Sequence, residues 1–249
     1  MRRLLAAIRF LTIVPLPGGE NTGARELGSA APLFPVVGLL IGAVMAAAAV
    51  GLWNVFPPAV AGVLLTVALL AVSGGFHMDG LSDTADGFFS SRGKQRMLEI
   101  MKDSRVGAMG VIAIVCVFAL KVAALASLER ADVVKAAFLM PVAGRCGLTL
   151  GINGLPSARG ESGLGKLFCQ ARSWPQAVWA TVVLAAAGWF AAGYSGGAAV
   201  AAALAVIVVI SLHCYRKIGG ATGDTLGATC ELAETAVAVA FTVRWLRIV

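Results

Sequence analysis

The sequence predicts an all-α, polytopic integral membrane protein, on the evidence of its composition and of its long apolar runs. Of the 249 residues, 59% are hydrophobic and 13% are charged, whereas an ordinary soluble domain has roughly 25% charged residues. The mean hydropathy is +0.86. A soluble fold of this size could not bury so much apolar surface, so lipid contact explains the composition better. We expect one membrane-embedded domain over residues 1–249.

Seven apolar runs are long enough to cross a bilayer, given roughly 17 to 25 residues per span. They comprise residues 33–53, 59–76, 107–128, 133–152, 177–194, 197–213 and 228–243. The first run carries Pro35 near its start and the last carries Glu231 and Glu234, so these two are the least typical of a span. We therefore predict about seven transmembrane helices, with six or eight as the alternatives.

The amino-terminal segment predicts a helix that lies in the membrane interface. Leu4 and Ile8 share one helix face, while Arg2, Arg3 and Arg9 can reach lipid headgroups. Arg9 also interrupts the apolar stretch, which is not typical of a signal peptide. We expect this segment to be retained as an interfacial helix.

The basic residues indicate which side of the membrane carries the long loops. The net charge is +7, but Lys and Arg are scattered between apolar runs and form no continuous stripe, so we expect no nucleic-acid binding. With a cytoplasmic amino terminus, fourteen of the twenty basic residues fall in cytoplasmic segments, which the positive-inside rule favours. Loops 77–106, 153–176 and 214–227 then share the cytoplasmic face. The basic residues after position 243 do not fit this orientation.

Three aspartates follow the second apolar run at helical spacing. Asp79, Asp83 and Asp86 lie at i, i+4 and i+7 within GGFHMDGLSDTADGFFS, so they share one face of a helix. At about 5 to 6 Å, each ionised neighbouring pair would repel by about 3 kcal/mol at an effective dielectric of about 20. A bound cation would relieve that repulsion. The alternative is a solvated acidic helix end that the helix dipole stabilises.

Carboxylates without nearby thiols or clustered histidines suit a hard divalent ion. Mg²⁺ commonly uses a few carboxylates together with substrate phosphates, so it is the expected ion, with Mn²⁺ second. His77 and His213 flank two of the loops and are candidates for a base or a hydrogen-bond donor. A plain interfacial histidine explains each of them equally well.

A second polar motif, RMLEIMKDSRVGAMG, opens the third apolar run. Lys102 and Arg105 can bind phosphate oxygens, and Asp103 can complete a metal site. The alternative is that these charges are only the basic border of a transmembrane helix. The proximity of the first motif favours the functional interpretation.

A third motif, KIGGATGDTLGATCELAE, combines glycines with polar side chains. Gly219, Gly220 and Gly223, with Thr222 among them, would let backbone N–H groups approach an anion closely. The spacing is not that of a Walker loop, so the motif indicates a phosphate loop only weakly.

Acidic residues continue from this motif into the last apolar run. Asp224 and Glu231 lie on one side of a helix that begins early, and Glu234 lies next to them. Intramembrane acids are costly and usually face a cavity or a partner, which makes both glutamates functional candidates. The alternative is a structural pair with Lys121 or Arg145.

The three motifs, in this order within a polytopic chain of this length, closely resemble the cobalamin synthase, or adenosylcobinamide-GDP ribazoletransferase, family. The resemblance spans nearly the whole chain and includes FLTIVPLP near the amino terminus and FPVVGLLIG in the first run. Phe76, Met78 and Ser82 depart from the Leu or Ala expected in many relatives. These departures affect packing and leave the acidic residues intact.

The resemblance implies a Mg²⁺-dependent enzyme of a bacterial inner membrane, with its active site facing the cytoplasm, in a late step of cobalamin biosynthesis. α-Ribazole or its 5′-phosphate would join adenosylcobinamide-GDP, and GMP would leave. Residues 1–249 would form a single catalytic domain. A homo-oligomer, or association with other cobalamin-assembly enzymes, is left open.

The same resemblance assigns roles to residues of the three motifs. The expected metal ligands are Asp79, Asp83, Asp86, Asp103, Asp224 and Glu231. The expected substrate- and phosphate-binding residues are Lys102, Arg105, Gly219, Gly220, Thr222 and Gly223. Asp83 or Asp86 would accept the proton of the attacking hydroxyl, and His77 is a further catalytic candidate. We also predict that segments 77–106 and 214–231 meet over one cavity.

Two other functions share features with this sequence. The Asp-Gly pattern at Asp79 is similar to that of CDP-alcohol phosphatidyltransferases, which also displace a nucleoside monophosphate, but no Ala-Arg follows it here. A secondary transporter also uses intramembrane acids. A carrier is expected to place its charges near the bilayer midplane, whereas these aspartates cluster in one loop at the membrane edge.

Overall fold

The computed structural model describes residues 2–16, 28–159 and 172–243. Within these ranges the chain forms α-helices, one short 3₁₀ turn at Ala31–Leu33 and no strand, so the predicted all-α class is confirmed. In chain order the helices are α1 (Arg2–Leu11), α2 (Phe34–Val55), α3 (Pro58–Val72), α4 (Phe76–Phe88), α5 (Lys94–Ile100), α6 (Ala108–Ala126), α7 (Arg130–Gly154), α8 (Trp174–Ile218) and α9 (Gly223–Ala240).

Four stretches of the described chain are long and apolar enough to cross a membrane. They are Gly28–Val55, which contains α2, together with α6, α7 and α8. Helices α3 and α4 pass the same test together but are bent by 90° at the break between them, which makes five spans if the pair is counted as one. The protein is therefore an α-helical membrane protein, and length and composition fix this class without fixing the number of spans.

Helix α8 contains two of the predicted apolar runs. Its 45 residues are interrupted at Gly193, whose φ of 54° and ψ of −125° are not helical. The two arms then contact each other, because a Cβ on Gly196 would collide with the carbonyl oxygen of Gly188. Helix α8 is thus a helical hairpin, and its arms correspond to the runs 177–194 and 197–213.

The second predicted run, residues 59–76, ends earlier than expected. Helix α3 stops at Val72, and Gly74 and Gly75 follow with φ of 62° and 76°. This left-handed backbone is accessible to glycine at little cost, so it lets the chain turn sharply. The turn separates the aspartate-bearing helix α4 from the apolar helix α3.

The predicted amino-terminal helix is present as α1. Ala6, Ala7 and Leu11 are buried, Arg2 and Arg3 are exposed, and the ring of Phe10 stacks on that of Phe34 at 5.8 Å between centroids. Helix α1 therefore packs one face against the start of α2.

Helix α7 is the central helix of the bundle and contacts α2, α8 and α9. Small residues allow the close approach: a Cβ on Gly42 of α2 would collide with the carbonyl oxygen of Phe138. This is the packing expected of membrane helices, where small residues bring backbones together. Helix α9, which contains the last predicted run, lies largely buried against α7, α4 and α6.

Four buried charges connect α6, α7 and α9. Lys121 Nζ lies 2.6 Å from Glu231 Oε2 and 2.7 Å from Glu234 Oε2. Arg145 Nη1 donates to Glu234 Oε1. Two cations thus balance two anions where an unpaired charge would be very costly.

This network bears on the predicted metal-ligand role of Glu231. The alternative prediction from the sequence, a pair with Lys121 or Arg145, is the arrangement that the structure shows for both glutamates. Glu231 is 2% exposed. Its carboxylate is held by Lys121 inside the bundle, which makes it less available to a metal ion.

Replacement of Glu234 by Ala is expected to destabilise the protein by about 3–5 kcal/mol, because it leaves two buried cations without a shared partner. Thermal or denaturant unfolding in detergent micelles measures this loss. The control is Glu99→Ala, which removes the exposed Arg96–Glu99 pair and is expected to cost under about 1 kcal/mol. Equal losses for the two variants would contradict a stabilising role for the network.

Candidate active site

The site forms where α4 crosses the start of α9. A Cβ on Gly80 of α4 would lie 2.7 Å from the carbonyl oxygen of Asp224, and a Cβ on Gly227 of α9 would lie 3.1 Å from that of His77. Glycines on both helices therefore allow their backbones to touch. Thr222 caps α9, since its hydroxyl accepts the N–H of Thr225 and the Thr225 hydroxyl accepts the N–H of Thr222.

This crossing brings carboxylates from two distant motifs together. The negative charges of Asp79, Asp224 and Asp86 all repel that of Asp83, and Asp79 also repels Asp224. Asp79 is exposed, while Asp83 and Asp224 are half-buried. The structure thus shows segments 77–106 and 214–231 in contact, as predicted, with Asp83 and Asp224 close enough to repel each other. The cavity predicted between the segments stays a prediction.

Asp86 has a structural task that the sequence did not indicate. Its Oδ2 accepts the N–H of Gly107 at 2.7 Å and its Oδ1 accepts that of Gly110 at 2.8 Å. A Cβ on either glycine would collide with this carboxylate. Asp86 therefore binds the N-terminus of α6, where a negative charge is favoured by the helix dipole, and fixes α4 relative to α6.

Arg159 joins the acidic cluster from the segment that follows α7. Its Nη2 lies 3.0 Å from Asp224 Oδ2. The segment is held by two backbone hydrogen bonds, from Ala221 N to Pro156 O at 2.8 Å and from Ala158 N to Ala221 O at 2.9 Å. The sequence predicted a cytoplasmic loop around Arg159 but no role for it in the site. The only signal in the sequence was that Arg159 lies in a loop predicted on the same membrane face as the loops that carry the acidic motifs.

Opposing effects act on the pKa of Asp224. Burial raises its pKa, and the Arg159 guanidinium and the Thr222 hydroxyl, which donates to Oδ2 at 3.2 Å, act in the opposite direction. Burial has the larger effect, so the pKa of Asp224 lies above its ordinary value. A bound cation would therefore stabilise the ionised form of its carboxyl group.

The second motif, with Lys102, Asp103 and Arg105, was predicted to take part in this site. Its described ion pair lies within the motif itself. Arg105 Nε and Nη2 donate to the two oxygens of Asp103 at 3.0 and 2.7 Å, and the Arg105 side chain is 86% exposed. The hydrogen bonds from Arg105 lower the pKa of Asp103 to about 2. Among the described residues, no hydrogen bond or ion pair links Asp103 or Arg105 to the aspartates of α4, and Lys102 is exposed.

The glycines of the third motif serve the turn between α8 and α9. Gly219 has a φ of 76° and ends α8, and a Cβ on Gly220 would collide with the carbonyl oxygen of Pro156. At Gly223, the first residue of α9, an added Cβ would meet no atom of the described chain within 4 Å. Gly219 and Gly220 therefore serve chain reversal and close packing, and their phosphate-binding role stays a prediction.

The two histidines lie against aromatic rings. His77 is 1% exposed, and its Nε2 has no hydrogen-bond partner within the described ranges. Its side chain lines a small cavity of about 20 Å³ with Phe10, Phe34 and other apolar residues. His213 contacts the ring of Phe88. The structure therefore gives His77 apolar neighbours and no hydrogen bond to a described aspartate.

A larger cleft opens on the other side of the segment that carries Arg159. Its volume is about 860 Å³, which is within the usual range for binding sites of organic ligands. It lies between the end of α7 and the two arms of α8, and Pro156 forms part of its wall. Its lining is mostly apolar and includes the polar residues Asn153, Arg172, Ser173, Thr181, Ser211 and Tyr215.

The cluster of Asp79, Asp83 and Asp224 offers only oxygen donors, the type that Mg²⁺ and Mn²⁺ prefer. In the part of the chain that the structure describes, no three acidic, His or Cys side chains are arranged as a complete metal-binding group. The mutual repulsion of the three carboxylates and their access to solvent nevertheless fit a hard cation that water and substrate oxygens would also coordinate.

The helical bundle defines a polytopic membrane protein, and the acidic crossing of α4 and α9 forms its candidate active site. The chain matches the family described as cobalamin-5-phosphate synthase over residues 3–242. It belongs to that family.

Curated relatives match the sequence of this chain over nearly their full length. Proteins named adenosylcobinamide-GDP ribazoletransferase are 37% identical in Acetivibrio thermocellus, covering 97% of both chains, and 39% identical in Clostridium acetobutylicum, covering 94% of this chain and 93% of the relative. The relative of that name in Desulforamulus reducens is 40% identical over 93% of this chain and 92% of its own. No solved structure matches the chain.

Proposed function

We propose that this protein joins α-ribazole, or α-ribazole 5′-phosphate, to adenosylcobinamide-GDP and releases GMP. The observation that carries the proposal is the convergence of Asp79, Asp83 and Asp224 beside Arg159 in a member of this family. Negative and positive groups are needed together when an enzyme binds a metal-bound diphosphate. Membership of the family favours this function over a CDP-alcohol phosphatidyltransferase or a carrier.

Mg²⁺ is the proposed cofactor, with Mn²⁺ as the second choice. Asp79, Asp83 and Asp224 would hold it, because these are the carboxylates that the crossing of α4 and α9 brings together. When bound, the ion would neutralise charge on the diphosphate and make GMP a better leaving group. Asp86 and Asp103 are less suited to this role, since both oxygens of each already accept hydrogen bonds, and Glu231 is buried against Lys121. The bonds described for Asp224 both go to its Oδ2.

In the proposed reaction, a ribose hydroxyl of α-ribazole attacks the phosphorus atom that is bonded to the cobinamide oxygen. The bond from this phosphorus to the bridging oxygen breaks, and GMP leaves with that oxygen. The proton of the hydroxyl passes to a carboxylate, for which the sequence left Asp83 and Asp86 open. The geometry favours Asp83, because both oxygens of Asp86 accept backbone N–H groups.

We further propose that the site faces the cytoplasm of a bacterial inner membrane. The positive-inside pattern supports this orientation. The cleft of about 860 Å³ beside Pro156 is a suitable place for part of the bulky corrinoid, since it adjoins the segment that carries Arg159.

The proposal is tested by turnover of adenosylcobinamide-GDP and α-ribazole 5′-phosphate with purified protein in liposomes. We expect GMP release and a corrinoid product with Mg²⁺, and loss of both when a chelator removes the metal. Restoring Mg²⁺ should restore turnover, which distinguishes metal dependence from damage to the protein. Absence of GMP from folded protein in the presence of Mg²⁺ would overturn the proposal.

A further inference from the structure

We propose that Arg159 binds the diphosphate of the substrate, and that Asp224 holds its guanidinium in position before the substrate arrives. This inference rests on the proposed function and adds a residue that the sequence motifs did not include. The ion pair at 3.0 Å places the guanidinium at the edge of the acidic cluster.

The position of Arg159 is fixed by the backbone on which it lies. Residues 156–158 pair with Ala221 through two hydrogen bonds, immediately before the cap of α9 at Thr222. Gly220 is required for this approach, since a Cβ there would collide with Pro156 O. The segment and the turn therefore hold Arg159 beside Asp224. Because the guanidinium is already ordered, less conformational entropy is lost when it binds a ligand.

The charges around the site indicate why a cation is needed there. Asp79, Asp83, Asp86 and Asp224 make the proposed diphosphate site strongly negative. Among the charges that act most strongly on Asp83 in the described chain, Arg159 is the only cation. A guanidinium binds phosphate oxygens through two parallel hydrogen bonds, which a lysine cannot reproduce.

Accessibility favours Arg159 over Arg105, one of the two basic residues that the sequence predicted for this role. Its side chain is 20% exposed, so it can be reached by a ligand while one side stays ordered by the protein. The Arg105 side chain is 86% exposed and donates two hydrogen bonds to the carboxylate of Asp103. Accessibility and ion pairing therefore favour Arg159 over Arg105 for binding the phosphates.

The experiment compares Arg159→Gln and Arg159→Lys with the unmodified protein, using two readouts. In steady-state turnover, Arg159→Gln is expected to raise KM for adenosylcobinamide-GDP by about 10-fold or more, because charge-assisted hydrogen bonds are lost. The KM for α-ribazole 5′-phosphate should change little. Arg159→Lys should recover part of the lost affinity, because lysine keeps the positive charge but cannot make the two parallel hydrogen bonds of arginine. Arg96→Gln, on the exposed pair with Glu99, is the control and should behave as the unmodified protein.

The second readout is direct binding of GDP with Mg²⁺, measured by calorimetry, which needs no turnover. A weaker affinity for GDP in Arg159→Gln is the expected result. Unchanged GDP affinity and unchanged KM would overturn the inference even if the unmodified protein releases GMP. If the unmodified protein binds GDP but gives no turnover, the proposed function fails while the role of Arg159 is still decided by the binding data. Equal increases in KM for both substrates, without recovery in Arg159→Lys, would show that Arg159 only supports the fold.

Discussion

Replacement of Asp83 by Asn is expected to reduce turnover by about 10³-fold, because it removes both a proposed metal ligand and the proposed proton acceptor. The protein should remain folded. Asp83 is repelled by Asp79, Asp224 and Asp86, so loss of its charge relieves repulsion in the metal-free protein. We therefore expect an unfolding temperature without metal that is equal to or above that of the unmodified protein, measured beside GMP release in the same preparation.

The control for this variant is Asp132→Asn, which removes a carboxylate of the same type from the start of α7, where it pairs with Lys135. It should retain turnover. Activity close to that of the unmodified protein in Asp83→Asn would remove Asp83 from the site. A fall in both activity and thermal stability would instead indicate a structural role.

Replacement of Gly80 by Ala is expected to lower turnover by on the order of 100-fold, since small displacements of catalytic groups have effects of that size. The new Cβ would lie 2.7 Å from the carbonyl oxygen and 3.1 Å from the Cα of Asp224. Both atoms belong to the backbone of α9, so relief requires the two helices to separate. Overpacking of this kind costs about 1–3 kcal/mol of stability, which unfolding in micelles would measure.

Gly51→Ala is the matched control because it makes the same change in another helix. A Cβ on Gly51 would meet no atom within 4 Å. Since alanine favours a helix over glycine, this variant should be as stable as the unmodified protein or more so, by up to about 1 kcal/mol. Full activity in Gly80→Ala would show that the close contact of α4 with α9 is not needed to form the site.

The sequence by itself determined the class of the protein and two of the motifs that meet at the site, those of Asp79 and Asp224. In lipid, the backbone polar groups of a continuous apolar run of about 20 residues are satisfied within the run when it forms a helix, so the all-α membrane fold follows from local pattern. The spacing of Asp79, Asp83 and Asp86 placed them on one helix face for the same reason. These predictions depend on neighbours in sequence, for which helical geometry is known in advance.

The tertiary structure decided which charged groups are partners. Asp86 binds the N-terminus of α6, Glu231 pairs with Lys121 inside the bundle, and Arg159 reaches Asp224 from a segment 65 residues away. Each carboxylate alone is suited equally to a metal, a backbone N–H or a cation. Which of these it meets depends on how helices cross at Gly80, Gly110 and Gly227, where the absence of a side chain sets distances that no local pattern encodes.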